Sequence, residues 1–149
     1  MGADLYIHSL YQPNQARWQP QFEEAARLRD SLPADSPARQ EAQERVSECY
    51  EQMYSQGYFR DPYNDLDVLW KFGLSWWNDV IPMLDDEGRL SVRAAQRLLE
   101  LLDKREDIFE ERMSGLPEED EQYFRSRYTD LRQFLNQAVA LKEAIDCSL

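Results

Sequence analysis

Residues 50–77 read YEQMYSQGYFRDPYNDLDVLWKFGLSWW. Nine of the chain's eighteen aromatic residues lie here: Tyr50, Tyr54, Tyr58, Phe59, Tyr63, Trp70, Phe72, Trp76 and Trp77. Arg60, Asp61, Asn64, Asp65, Asp67 and Lys71 sit between the rings, and Asn78 and Asp79 follow them. Rings of this kind bury a large area while Tyr and Trp keep a polar end, so the block builds either a folding centre or a ligand pocket.

Two readings divide its residues. As core, Trp70, Trp77, Phe72, Leu66, Leu69, Leu74 and Ile81 fill the space where short helices cross. As a site, Tyr58, Arg60, Asp61, Tyr63, Asn64, Trp76, Asn78 and Asp79 line a pocket at the edge of that core. Trp76 and Trp77 cannot both face inward on a helix, because successive residues turn by ~100°. One ring is core and its neighbour lies nearer the surface.

Outward from this block the chain reads as helical. Asn64 caps a short helix to Phe72, Gly73 interrupts it, and Ser75 caps another that meets Pro82, giving an aromatic-rich insert of short helices over 64–84. Upstream, Ala38, Ala42, Val46, Cys49 and Met53 form one helical stripe after Ser36 as N-cap and Pro37 at the first helical position, predicting a helix over 37–56 closed by Gly57. Phe22, Ala25, Ala26 and Leu28 give a weaker stripe over 20–32, begun at Pro20 because proline is tolerated at a helix start and not deep inside one.

Downstream, Asp85-Asp86-Glu87-Gly88 is a turn and Ser91 an N-cap. Val92, Ala95, Leu98, Leu99, Leu102, Phe109 and Met113 line a helix over 91–113. Pro117 and the acids Glu118 to Glu121 suit the start of a last helix, 117–145, with Phe124, Tyr128, Leu131, Leu135, Ala138 and Leu141 as its stripe. Residues 2–11 alternate loosely as a short extended arm whose candidate partners are the tail from Ala144 to Leu149 or a second copy of the chain. The fold class this predicts is all-α: a single-domain helical bundle spanning 1–149, with four main helices around an aromatic-rich centre at 50–82.

Composition agrees with one packed domain. At 149 residues and 42% hydrophobic the chain is long and apolar enough to bury a core. Thr129 is its only threonine, which disfavours a many-stranded β fold. The net charge of −12 is spread over every third of the sequence, so no basic footprint exists and nucleic-acid binding is disfavoured. Cys49 and Cys147 are far apart with no C-x-x-C, and neither a signal-peptide pattern nor a bilayer-spanning apolar run is present, so the expected compartment is cytoplasmic.

Chemical motifs are few. Aligning Gly88 with the sixth position of a calcium loop puts Met83 first and Ala94 twelfth, and neither binds calcium. His8 is the only histidine, which excludes a histidine-based metal triad. Glu41 with Glu44, and Glu48 with Glu51, form E-x-x-E pairs whose spacing places both carboxylates on one helix face, as Mg²⁺ sites require. All-α nucleotide pyrophosphatases follow such a pair closely with E-x-x-D. Here Glu100 and Asp103 lie more than fifty residues beyond Glu44.

Met1-Gly2-Ala3-Asp4-Leu5-Tyr6-Ile7, the segment from Gly57 to Asp61 with Tyr63-Asn64, Gly73 to Trp77, Asp79 to Pro82 and the Cys147-Ser148-Leu149 ending resemble a group of small, uncharacterised bacterial and phage-type proteins. The resemblance implies helical character and a phage or prophage link, and carries no activity or site residue with it. It also suggests that both termini are packed.

The leading functional expectation is a non-enzymatic, cytoplasmic binding or adaptor protein, without cofactor, whose surface beside the aromatic block meets an unknown protein or small molecule, a homodimer partner included. The first alternative is a Mg²⁺-dependent nucleotide or phosphoester hydrolase using Glu41, Glu44, Glu48 and Glu51. The second is an acidic phage-type decoy of a nucleic-acid-binding enzyme.

Overall fold

A computed structural model describes residues 1–149. The strands are β1 (Gly2–Tyr6), β2 (Tyr58–Pro62), β3 (Arg89–Leu90) and β4 (Ile145–Ser148). The helices are α1 (His8–Ser31), α2 (Pro37–Met53), α3 (Val92–Lys104), α4 (Glu106–Ser114) and α5 (Glu118–Leu141). Two 3₁₀ turns, Leu69–Phe72 and Ile81–Met83, flank a π turn at Trp76–Val80.

The strands form one antiparallel sheet in the order β2-β1-β4-β3. This corrects the all-α expectation: the protein is mostly helical, but a four-stranded sheet joins both chain ends to its middle. The strands are two to five residues long, too short for a local period-2 pattern to stand out, and every pairing is non-local. The extended arm finds its partner in the C-terminal tail, with Asp4, Leu5 and Tyr6 opposite Ser148, Cys147 and Asp146. Arg89 and Leu90 meet Asp146 and Ile145 on the other side of β4.

The chain divides into two compact units, one of Met1–Ile7 with Phe59–Leu149 and one of His8–Tyr58. In the first, the sheet alternates between a buried and a wet face, as an antiparallel sheet covered on one side does. Ala3, Leu5, Ile7, Phe59, Leu90 and Ile145 are buried. The opposite face holds Asp4, which accepts a two-pronged hydrogen bond from Arg60 at 2.9 and 3.0 Å. Gly2 permits the close approach of β2: a Cβ there would lie 2.8 Å from the Asp61 carbonyl oxygen.

Helix α3 starts at Ser91, whose hydroxyl accepts the Ala94 N–H at 3.1 Å, and buries Ala94, Ala95, Leu98 and Leu102. The predicted helix over 91–113 is two helices, broken at Arg105. At the break the Arg105 guanidinium reaches back to the Phe72 and Gly73 carbonyls at 3.4 and 3.3 Å. Beyond the break, Phe109 stacks on Phe72 at 4.6 Å with the rings 12° apart, and Tyr128 of α5 packs against both. The last helix stops at Leu141 rather than 145. Lys142 adopts the left-handed conformation and turns the chain into β4.

The second unit is the α1–α2 hairpin. Helix α2 has the predicted cap, the Ser36 hydroxyl accepting the Arg39 N–H, and buries Ala42, Val46, Cys49 and Met53 of the predicted stripe, whereas Ala38 in its first turn is exposed and the helix ends at Met53 rather than 56. Helix α1 begins at His8 and runs through both Pro13 and Pro20, twelve residues ahead of the expected start. The two prolines are seven residues apart and therefore share one stripe, which is exposed. Carbonyls that lose a partner N–H on that side meet water, so the prolines are tolerated there. Tyr11, Phe22, Tyr50, Tyr54 and Tyr58 form a ladder of rings 4.9 to 6.2 Å apart along the hairpin. Asn14 donates to the Gln52 carbonyl at 2.6 Å, covering the end of α2.

Candidate functional site

Asp61 organises the aromatic block. It is the one fully buried charged or polar residue, standing on the covered face of β2 among apolar neighbours. Such a carboxylate is tolerated only with donors around it. Three surround it: the backbone N–H groups of Val68 and Leu69 at 2.9 and 3.2 Å, and the indole N–H of Trp76 at 2.7 Å. One side chain thus fixes where the 3₁₀ turn begins and where the π turn docks.

Asp67 lies beside it. Burial, a hydrogen bond to the Asp61 side chain and the repulsion between the two acids raise the Asp67 carboxyl to about 8. Its Oδ1 accepts the Trp70 N–H at 3.1 Å.

Two large rings remain outside this core. Trp70 is 60% exposed and Trp77 is 56% exposed. Their backbones are nonetheless held. Trp70 is gripped on its N–H side by Asp67 and on its carbonyl by Arg112, and Gly73, at φ 69°, closes the turn. The Trp77 N–H donates to the Ser75 hydroxyl at 3.2 Å, while Asp79 accepts the Ser75 N–H at 2.8 Å in a reciprocal cap.

The two indoles stand on the walls of a cleft of about 620 Å³ lined also by Met1, Tyr63, Asn64, Asp65, Asp67 and Lys71. Tyr63 packs on Trp77 at 6.1 Å, and its hydroxyl is buried without a hydrogen-bond partner. Burial first, then Asp67, Asp4 and Asp61, push the Tyr63 hydroxyl above the usual phenol range. The Lys71 ammonium sits over the Phe124 ring at 4.7 Å.

Of the expected site residues, Tyr63 and Asn64 line this cleft. Asp61 and Trp76 lie beneath it, fully buried. Asn78 is exposed and Asp79 caps a turn. Arg60 pairs with Asp4 on the wet face of the sheet, and Tyr58 belongs to the ring ladder of the hairpin. The core reading places Trp70, Trp77 and Leu66 inside; all three are exposed, the two indoles as walls of the cleft, and Trp76 takes the buried place. Composition could not decide which indole turns inward. The signal was Asp61, the one buried acceptor within reach of an indole N–H, and that reach exists only after β2 and the π turn meet.

Glu41, Glu44, Glu48 and Glu51 are all exposed on α2, Glu48 pairing with Arg45 at 3.4 Å. No group of three or more His, Cys, Asp or Glu side chains is arranged to hold a metal ion. The acidic turn at Asp85 is closed from within, its carboxylate accepting the Glu87 and Arg89 N–H groups at 2.9 Å each. No helix is long and apolar enough to cross a membrane. No family model, curated protein or solved structure matches the chain.

Proposed function

We propose that the protein is a non-enzymatic binding protein whose working surface is the cleft between Trp70 and Trp77. The observation that carries this is two half-exposed indoles on the walls of one cleft, each on a backbone clamped by side-chain hydrogen bonds. Leaving such rings in water forgoes the burial that rings of this size otherwise provide, while a clamped backbone lowers the ordering cost when something covers them. Tryptophans presented in this way dominate binding energy at interfaces. The cleft has the size of a ligand site and the mixture of aromatic walls with a few polar groups that such sites show.

The partner in this reading is a protein segment, met by an adaptor of net charge −12. An array of random short peptides probed with labelled full-length protein tests it. Binding that is lost in Trp70→Ala and Trp77→Ala, with melting unchanged, supports the proposal. A silent array, or binding indifferent to both substitutions, overturns it.

A further inference from the structure

We infer that the cleft takes an extended, proline-rich peptide carrying a basic residue, an inference that rests on the binding role proposed above. The indole N–H groups of Trp70 and Trp77 and the side-chain NH2 of Asn64 make no hydrogen bond within the chain, while the Asn64 Oδ1 accepts the Leu66 N–H at 2.8 Å. Among acceptors, the Asp65 carboxylate is free, whereas Asp67 is committed to Asp61 and to the Trp70 N–H.

The cleft is therefore rich in donors mounted on or beside flat rings, with one spare anion. A ligand that matches it offers many acceptors, few donors and rigid apolar surface. A polyproline II segment does so: its carbonyls make no internal hydrogen bonds, and each proline lacks an N–H. Its prolyl rings pack on exposed aromatic faces, and its conformation is set before binding, so little entropy is lost.

An α-helical ligand would turn its carbonyls inward and leave these donors empty. A strand would present N–H groups to a surface short of acceptors. Charge decides the flanking residue. Asp65 is unpaired, and Lys71 already faces the Phe124 ring. With a chain of −12 behind it, the cleft edge attracts Lys or Arg and repels an acidic peptide.

The test is calorimetric titration of the full chain with an oligoproline peptide ending in arginine. The same peptide ending in glutamate, a glycine-serine peptide ending in arginine and an oligosaccharide of glucose serve as comparisons. Binding of the arginine oligoproline alone or most tightly is expected. Trp70→Ala and Trp77→Ala each weaken it by about tenfold or more, and Asp65→Asn narrows the gap between the arginine and glutamate peptides. Both tryptophan side chains are exposed, so unchanged melting checks that the variants fold. Equal binding of the glycine-serine peptide, preference for the glutamate peptide or for the oligosaccharide, or no binding of oligoproline overturns the inference. If oligoproline is silent while the random-peptide array shows binding sensitive to Trp70 and Trp77, the ligand class is wrong and the binding role stands. If both are silent, both fall.

Discussion

The Trp76 indole donates to the Asp61 carboxylate at 2.7 Å, joining a strand at the sheet edge to a π turn fifteen residues further along the chain. Both groups are removed from solvent, so each is the other's necessary partner. This bond turns Trp76 inward, and its neighbour Trp77 consequently outward into the cleft.

Asp61→Ala therefore leaves three donors without an acceptor. We expect a loss of about 3 kcal/mol or more from the stability of the unit containing the sheet. Trp76→Phe keeps most of the ring and removes one donor, at about 1–3 kcal/mol. Chemical denaturation of both variants checks this. Equal stability of Asp61→Ala and the parent chain would remove Asp61 from its central place.

Asp67 gives the fold a pH dependence. Its carboxyl is raised to about 8, above the ordinary 3.8 that it regains on unfolding. The folded state thus holds a proton that the unfolded state has released between these values. The resulting contribution is complete below pH 4, declines as pH rises through the window, and levels off above 8. Asp67→Asn preserves the acceptor for the Trp70 N–H and offers a permanent donor to Asp61. The variant should melt higher than the parent by a margin that widens from pH 5 to pH 8. A margin that does not change with pH would refute the raised Asp67 carboxyl.

Phe72 of the first 3₁₀ turn and Phe109 of α4 stack at 4.6 Å. A double-mutant cycle with Phe72→Leu and Phe109→Leu should show a coupling of about 0.5–1.5 kcal/mol. Additive losses would mean that the rings only fill volume.

The two thiols should be inert in the folded protein. Cys49 is fully buried, and burial pushes the Cys147 thiol up to about 12, with its Sγ directed to the Ile145 carbonyl. A thiol-reactive dye should label neither in buffer and both in denaturant. Rapid labelling of Cys147 under native conditions would show β4 to be detached from its neighbours.

Helix α2 was legible in advance because its information is local: Ser36 caps it, Pro37 starts it, and Ala42, Val46, Cys49 and Met53 recur with the helical period. The break at Arg105 was not, because no proline or glycine marks it, and the carbonyls its side chain meets lie more than thirty residues away. Proline at position 20 misled for the opposite reason. A local rule against proline inside a helix holds in a packed interior, and here the residue faces water.

By itself the chain determined that aromatic residues would gather with acids and amides between positions 50 and 79, that helices would dominate, and that Trp76 and Trp77 could not both face inward. Those properties follow from spacing along one backbone. Tertiary structure alone decided which indole went inside, that the chain ends and middle would pair as a sheet, and that Asp61 would sit beneath the cleft. Each of these depends on one group finding a partner far away in sequence, and no local pattern encodes that meeting.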